Sequence, residues 1–183
     1  MPIPDAVFTL AAAKAHLRIT WADEDTDITS KLDAAVERCE QFCNRAFCKR
    51  QYSMLFYTAS LYAPLPMAGF GAEVSFLYRK EGDPGITTPM PASSYKVLTD
   101  YHGRQWVQIT EWPDDADIEG NFAELIYETI EGAVFVPANV KVAAHLYLSD
   151  LFENRESQIV GTITVKNATA EALLVPHRLG WGV

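Results

Sequence analysis

The sequence predicts an α+β protein in which helices from the two ends of the chain form a bundle and a small antiparallel β-sheet is inserted between them. Three observations carry that expectation. Apolar residues recur at helical spacing near both termini, short β-branched and aromatic runs separated by Gly, Pro and Asp fill the middle, and nothing in the composition points to disorder or to a fibrous repeat. With 183 residues, 49% apolar and 21% charged, the chain is long enough to bury a substantial core and is expected to form a single domain, helical over 1–50 and 137–183 and β-rich over 51–136.

The first helix opens after Thr9, a good N-cap residue, with Leu10, Ala13 and Leu17 along one face. Asp23, Glu24, Asp25 and Asp27 suit the start of a second helix, whose stripe of Ile28, Leu32, Ala35, Val36, Cys39, Phe42 and Cys43 runs to about residue 43. Arg38, Arg45, Lys49 and Arg50 crowd its C-terminal end, where cations complement the helix dipole. From Gln51 the period shortens, and strands are expected over Tyr52–Tyr57, Val74–Tyr78, Tyr95–Leu98, Trp106–Thr110 and Phe122–Thr129. Pro137 fits the first position of a third helix that continues through Val142, Ala143, Leu146, Tyr147 and Leu151 towards Arg155. Gly161 breaks it, and after Thr162–Val165 a short last helix, roughly Thr169–Val175, stops at Pro176. The two helical ends are expected to pack on each other.

The net charge of −9 is local rather than general. Residues 1–110 carry 12 acids and 11 bases and residues 132–183 carry 4 of each, whereas Glu111–Glu131 holds 8 acids and no base. No basic stripe is present to neutralise a phosphate backbone, which argues against a domain that reads nucleic-acid sequence. Gln51–Ala72 is 22 residues without a charge, enough to cross a bilayer in length, but Pro64, Pro66, Gly69 and Gly71 interrupt it, so it reads as a strand and a loop and no membrane partner is expected. The N-terminus shows no basic region followed by an apolar run, so the expected compartment is the cytoplasm.

Motifs for chemistry are scarce. Cys39 and Cys43 lie on the apolar stripe as buried thiols would, and with Cys48 they lack a fourth ligand at zinc-finger spacing. His16, His102, His145 and His177 are isolated along the chain, and general acid–base work needs a base oriented by a partner. Asp114, Asp115 and Asp117 lack the register, glycine and closing glutamate of a calcium loop and read as a solvated acidic turn. No nucleophile elbow, phosphate-cradling loop or His-Glu-x-x-His pair occurs. No catalytic, cofactor or metal site is expected.

Taken in order along the chain, several segments resemble the bacteriophage head–tail connector family, also called adaptor or head-completion proteins. Leu10-Ala-Ala-Ala-Lys-Ala-His-Leu-Arg-Ile19 with Asp23-Glu-Asp-Thr-Asp-Ile28 resembles that family's opening, and Ala34–Phe47, ending Phe42-Cys-Asn-Arg-Ala-Phe47, resembles its second helix. Trp112-Pro113, Val136-Pro-Ala-Asn-Val140, Leu151-Phe-Glu-Asn-Arg-Glu156, Val160-Gly161 and Glu171-Ala-Leu-Leu-Val-Pro-His-Arg178 fit later positions. Leu65-Pro-Met-Ala-Gly-Phe-Gly71 stands where the family has a Pro-rich lead-in to its strands, and Lys166–Thr169 lacks its usual Leu-Pro.

The resemblance implies a non-enzymatic structural protein of the virion neck, assembled in the bacterial host cytoplasm. Its copies would form a ring, expected to be dodecameric on the portal protein and monomeric alone, that extends the DNA channel and docks a stopper or tail-completion protein. DNA would pass without being read, and the Glu111–Glu131 block would repel phosphates if it lined the lumen. Interface candidates are Glu153, Arg155 and Glu156 as ion-pair partners, and His177, Arg178 and Trp181 in a C-terminal tail that docks on the portal. Two alternatives stand beside this reading: a tail-completion protein of the same particle, and a small hydrolase or carbohydrate-binding module using Tyr57, Tyr62, Phe70, Phe76, Tyr78, Tyr95, Tyr101 and Trp106.

Overall fold

The structure, a computed structural model, describes residues 8–57, 59–120, 122–129, 136–154 and 168–180. It has the expected α+β character, and the chain divides into two compact units: Met1–Cys48 with Gly132–Val183, and Lys49–Glu131.

The first unit is helical and joins the two ends of the chain. It contains α1 (Leu10–Leu17), α2 (Asp25–Cys43), α3 (Ala138–Glu153) and α4 (Ala168–Leu174), the last running into a 3₁₀ turn over Val175–His177. Thr9 caps α1 as its residue type suggests: its hydroxyl oxygen accepts from the Ala12 amide at 3.1 Å. Every member of the stripe read on α2 except the partly buried Phe42 is buried, and the stripe packs with Val140, Ala143, Ala144, Tyr147 and Leu148 of α3 and with Ala170 and Leu174 of α4. The alanines and cysteines in this list keep the helices close; long side chains at those positions would hold them apart.

Three local expectations change. No base lies in the last turn of α2; Arg38, read as a dipole partner, instead places its guanidinium 4.2 Å from the centre of the Tyr147 ring, against α3. Pro137 is the N-cap of α3 rather than its first residue. The last helix begins at Ala168 and tightens at Val175, one residue ahead of the proline that cannot continue it. Gly161 and Thr162–Val165 lie outside the described residues.

The second unit is antiparallel β throughout. A four-stranded sheet has the order β1 (Gln51–Phe56), β7 (Ala123–Thr129), β3 (Phe70–Tyr78), β4 (Thr88–Pro89), and a three-stranded sheet has the order β2 (Tyr62–Pro64), β6 (Gln105–Ile109), β5 (Tyr95–Thr99). Strands β2 and β4 join the five read from the sequence; at three and two residues they are too short for periodicity to reveal. Strand β7 buries Ala123, Leu125, Tyr127 and Thr129 on alternate positions, the period-two pattern of a strand with one inward face. Phe56, Phe76, Leu125 and Tyr127 from the first sheet share a core with Val107 and Ile109 from the second. The buried Tyr127 hydroxyl accepts from the Met67 amide at 3.1 Å and donates to the Met67 carbonyl at 2.9 Å, fixing the loop between β2 and β3.

Among the described residues no helix is long and apolar enough to cross a membrane. The uncharged Gln51–Ala72 stretch supplies β1, β2 and the start of β3.

Candidate functional site

The end of α2 is a built junction. Asn44 stands in the left-handed region (φ 54) and ends the helix, its amide turning back to the Gln41 and Glu40 carbonyls. Glu40, wholly buried on the apolar side, accepts through one carboxylate oxygen from the Phe47 amide at 2.7 Å and the Cys48 amide at 2.8 Å. Two buried backbone donors are thereby satisfied by a charged acceptor. The C-terminal segment is tied to the same place. The Leu179 amide donates to the Cys43 carbonyl at 2.8 Å, the Asn44 side-chain amide donates to the Leu179 carbonyl at 2.8 Å, and the Arg178 guanidinium lies 5.3 Å from the Phe42 ring centre.

Of the interface candidates, Glu153 is exposed at the end of α3, with no ion pair among the described residues, while Arg155, Glu156 and Trp181 lie outside them. His177 and Arg178 belong to the anchored segment, and His177 Nε2 is buried without a hydrogen-bond partner among the described residues. Residues 177–179 are therefore part of the packing of the helical unit, and any projecting tail starts beyond Gly180.

The histidines separated in sequence are not all separate in space. His16 of α1 stacks on His145 of α3 with ring centres 5.0 Å apart, and the His16 Nε2 lies 3.0 Å from the Ser149 hydroxyl. Burial, and then the neighbouring His16, push the His145 imidazole below its ordinary range. His102 sits in a turn closed by Asp100, whose Oδ1 accepts from the His102 and Arg104 amides at 2.9 and 2.7 Å. Burial raises the Asp100 carboxyl, but hydrogen bonds from the Arg104 backbone and side chain outweigh it and hold the group below the usual carboxylate range. All three cysteines are buried, free thiols; burial pushes Cys39 up to about 12 and Cys43 to about 11. Among the described residues no group of three or more His, Cys, Asp or Glu side chains is placed to hold a metal ion.

The acidic block is not one uniform face. Asp115 receives Lys80 Nζ at 2.9 Å and the Tyr78 hydroxyl at 2.9 Å, Asp117 pairs with Arg79 at 3.0 Å, Glu124 accepts from the Ser53 hydroxyl at 2.6 Å, and Glu128 pairs with Lys49 at 2.8 Å. The Asp115 carboxyl is held below its usual range by the Lys80 and Tyr78 hydrogen bonds. Glu111, Asp114 and Glu119 remain exposed with no ion pair among the described residues. The loop containing them is fixed to the C-terminal end of β3 by an isolated bridge between Lys80 and Ala116 and by the Asp117 amide donating to the Arg79 carbonyl at 2.9 Å. At its tip Ile118 is 54% exposed.

Exposed apolar side chains also gather on the outward face of the three-stranded sheet. Register puts Tyr62, Gln108 and Lys96 in one row across it and Pro64, Trp106 and Leu98 in the next. The rows border an open depression of about 330 Å³ lined by Tyr62, Leu98, Thr99, Asp100 and Trp106. Gln108 donates to the Tyr62 hydroxyl at 2.7 Å, and the Arg104 guanidinium, paired with Asp100 at 2.8 Å, lies 5.6 Å from the Trp106 ring centre. Of the aromatics considered for a carbohydrate site, Phe76 and Tyr78 are buried in the core, Phe70 and Tyr95 pack against it, and Tyr57, Tyr62 and Tyr101 are exposed. The depression offers one carboxylate, Asp100, already engaged, so it lacks the paired acids that glycoside hydrolysis uses.

No protein-family model matches the chain, and no curated protein matches it. Solved structures do match, over the whole chain. A chain from the virion of a native gene transfer agent particle superposes with a TM-score of 0.75 at 19% identity, covering 100% of this chain and 95% of that one. The chain shares that protein's fold. Chains from the neck of the empty particle computed with C6 symmetry (TM-score 0.73, 18% identity, 100% and 95% covered) and from the neck of the native particle computed with C12 symmetry (0.72, 19%, 100% and 94%) give the same result.

Proposed function

We propose that this protein is a structural component of a phage-like particle neck, a connector whose copies form a ring, twelve on the portal, between the portal protein and the tail. The observation that carries the reading is the match across the full chain, both units included, to chains of gene transfer agent necks computed with C12 and C6 symmetry. The ordered resemblance of the helical segments to head–tail connectors supports it from the sequence side. On this reading the helical and β units act together in one connector subunit, and DNA passes through the ring unread. Each subunit needs two different complementary faces, because a ring closed by rotation is built from heterologous contacts. Glu153, with Arg155 and Glu156, is assigned to a subunit boundary or to the bundle, and the residues beyond Gly180, with Trp181, to the portal. A stopper or tail-completion protein would dock on the opposite side.

Deleting the gene tests the role. Particles that package DNA, then leak it and fail to join tails, are the expected outcome; particles that keep their DNA and gain tails without the protein rule the connector role out.

A further inference from the structure

Among the exposed apolar side chains of the β unit, which also include Leu55, Tyr57, Leu61, Val74 and Tyr101, two features lie at its opposite ends. One is the depression on the three-stranded sheet, with Tyr62, Leu98 and Trp106 in its wall. It lies towards the N-terminal end of β3, because Gln105, the neighbour of Trp106, accepts from the Gly69 and Phe70 amides at 2.7 Å each. The other is Ile118, at the tip of the loop bound to the C-terminal end of β3. Nine residues of strand separate these ends, about 26 Å at ~3.3 Å per residue.

Charge and rigidity sort the two features further. Glu119 follows Ile118 directly and Asp114 stands four residues before it in the same loop, both exposed and with no ion pair among the described residues, whereas the row beside the depression carries Lys96, exposed and likewise without one. The loop is held rather than loose: Arg79 pairs with Asp117 and also donates to the Glu119 carbonyl, and the Glu119 amide donates to Asp117 at 3.2 Å, closing a turn around Ile118. A branched aliphatic side chain in an acidic loop is thus presented at one end, and an aromatic-walled hollow with a lysine in the adjoining row at the other. On a single subunit these surfaces are too far apart to meet.

We infer that Ile118 of one copy seats in the Tyr62–Leu98–Trp106 depression of the next, with Asp114 and Glu119 facing its Lys96. The occupant is a second copy of this chain because knob, hollow and opposite charges are all on the same molecule, and a contact between unlike ends propagates in one rotational sense, as a ring requires. Tyr62 and Trp106 in the wall of the hollow are of the residue types that dominate interface hot spots. This inference rests on the neck-ring reading and names the surfaces that build the ring. It assigns Asp114 and Glu119 of the Glu111–Glu131 block to the subunit boundary rather than to the channel wall.

The test uses the full-length protein, alone and with cognate portal rings, in two readouts. Sedimentation and electron microscopy report whether the wild type forms rings. Under mild oxidation the paired substitution Ile118→Cys with Leu98→Cys should give a ladder of disulfide-linked oligomers, which either substitution alone should not; the three native thiols are buried and do not interfere. Ile118→Arg and Lys96→Glu should each raise the concentration needed for assembly by about tenfold or more, with unchanged thermal melting, and Asp114→Lys with Glu119→Lys should restore assembly to Lys96→Glu. Wild-type rings with no ladder and no effect of these substitutions overturn the contact and leave the ring intact. A wild type that forms no ring with or without the portal overturns both.

Discussion

Replacing Glu40 by Ala perturbs the junction on which the helical unit depends. The carboxylate is fully buried and accepts from two amides, of Phe47 and Cys48, whose residues are themselves only 3% and 2% exposed, so truncation leaves both donors without water to replace it. A buried donor stripped of its partner costs ~1–3 kcal/mol, towards the upper end when the lost acceptor is charged, which puts the total near ~4 kcal/mol. For a folding unit of up to ~100 residues that is a fall in melting temperature of at least ~15 °C. Glu40→Gln keeps an acceptor oxygen without the charge and should lose only ~1–2 kcal/mol. Circular dichroism through a urea titration separates the variants. An Ala variant within ~1 kcal/mol of wild type would refute the reasoning and mean that the loop after α2 finds other acceptors at little cost.

Other consequences follow from the same contacts. Tyr127→Phe removes both hydrogen bonds to Met67 while keeping the ring, so the β unit should lose ~1–3 kcal/mol in denaturant unfolding. Because the folded-state pKa of His145 is depressed below its ordinary 6.5, the unfolded chain binds the proton first as pH falls; stability should drop as pH is lowered through that value, and His145→Phe should flatten the dependence. An NMR titration of the His145 ring with a midpoint at or above 6.5 would contradict this. Alkylation at pH 8 should leave all three cysteines unmodified until denaturant is added, whereas a thiol that reacts rapidly in the native protein would count against their burial.

The helices were legible in the sequence because their signals are local. Thr9 as a cap and the stripe on α2 depend only on spacing within one element and are found where they were expected, whereas α3 turns Val140, Ala143, Ala144, Tyr147 and Leu148 inward and leaves Val142, read as part of its apolar face, 50% exposed. What escaped is non-local. Nothing near Glu40 in the chain announces that it will accept from residues seven and eight positions on, although an acid beside an apolar stripe and just before Asn44 is a hint. His16 and His145 meet only because α1 packs on α3. The same holds for the candidate surfaces. Composition located eight acids in one block, but only register and turn geometry reveal that several are matched by Lys49, Arg79 and Lys80 and that Ile118 stands out among the rest. The hollow at Trp106 depends on β2, a strand of three residues that carries no period to detect.

The most direct test of the connector reading is electron microscopy of the purified full-length protein mixed with its cognate portal. A ring of twelve copies stacked coaxially on the portal, its channel continuous with the portal's, is the expected result. A protein that stays unbound and monomeric at concentrations where the portal is saturated with other neck components would contradict it.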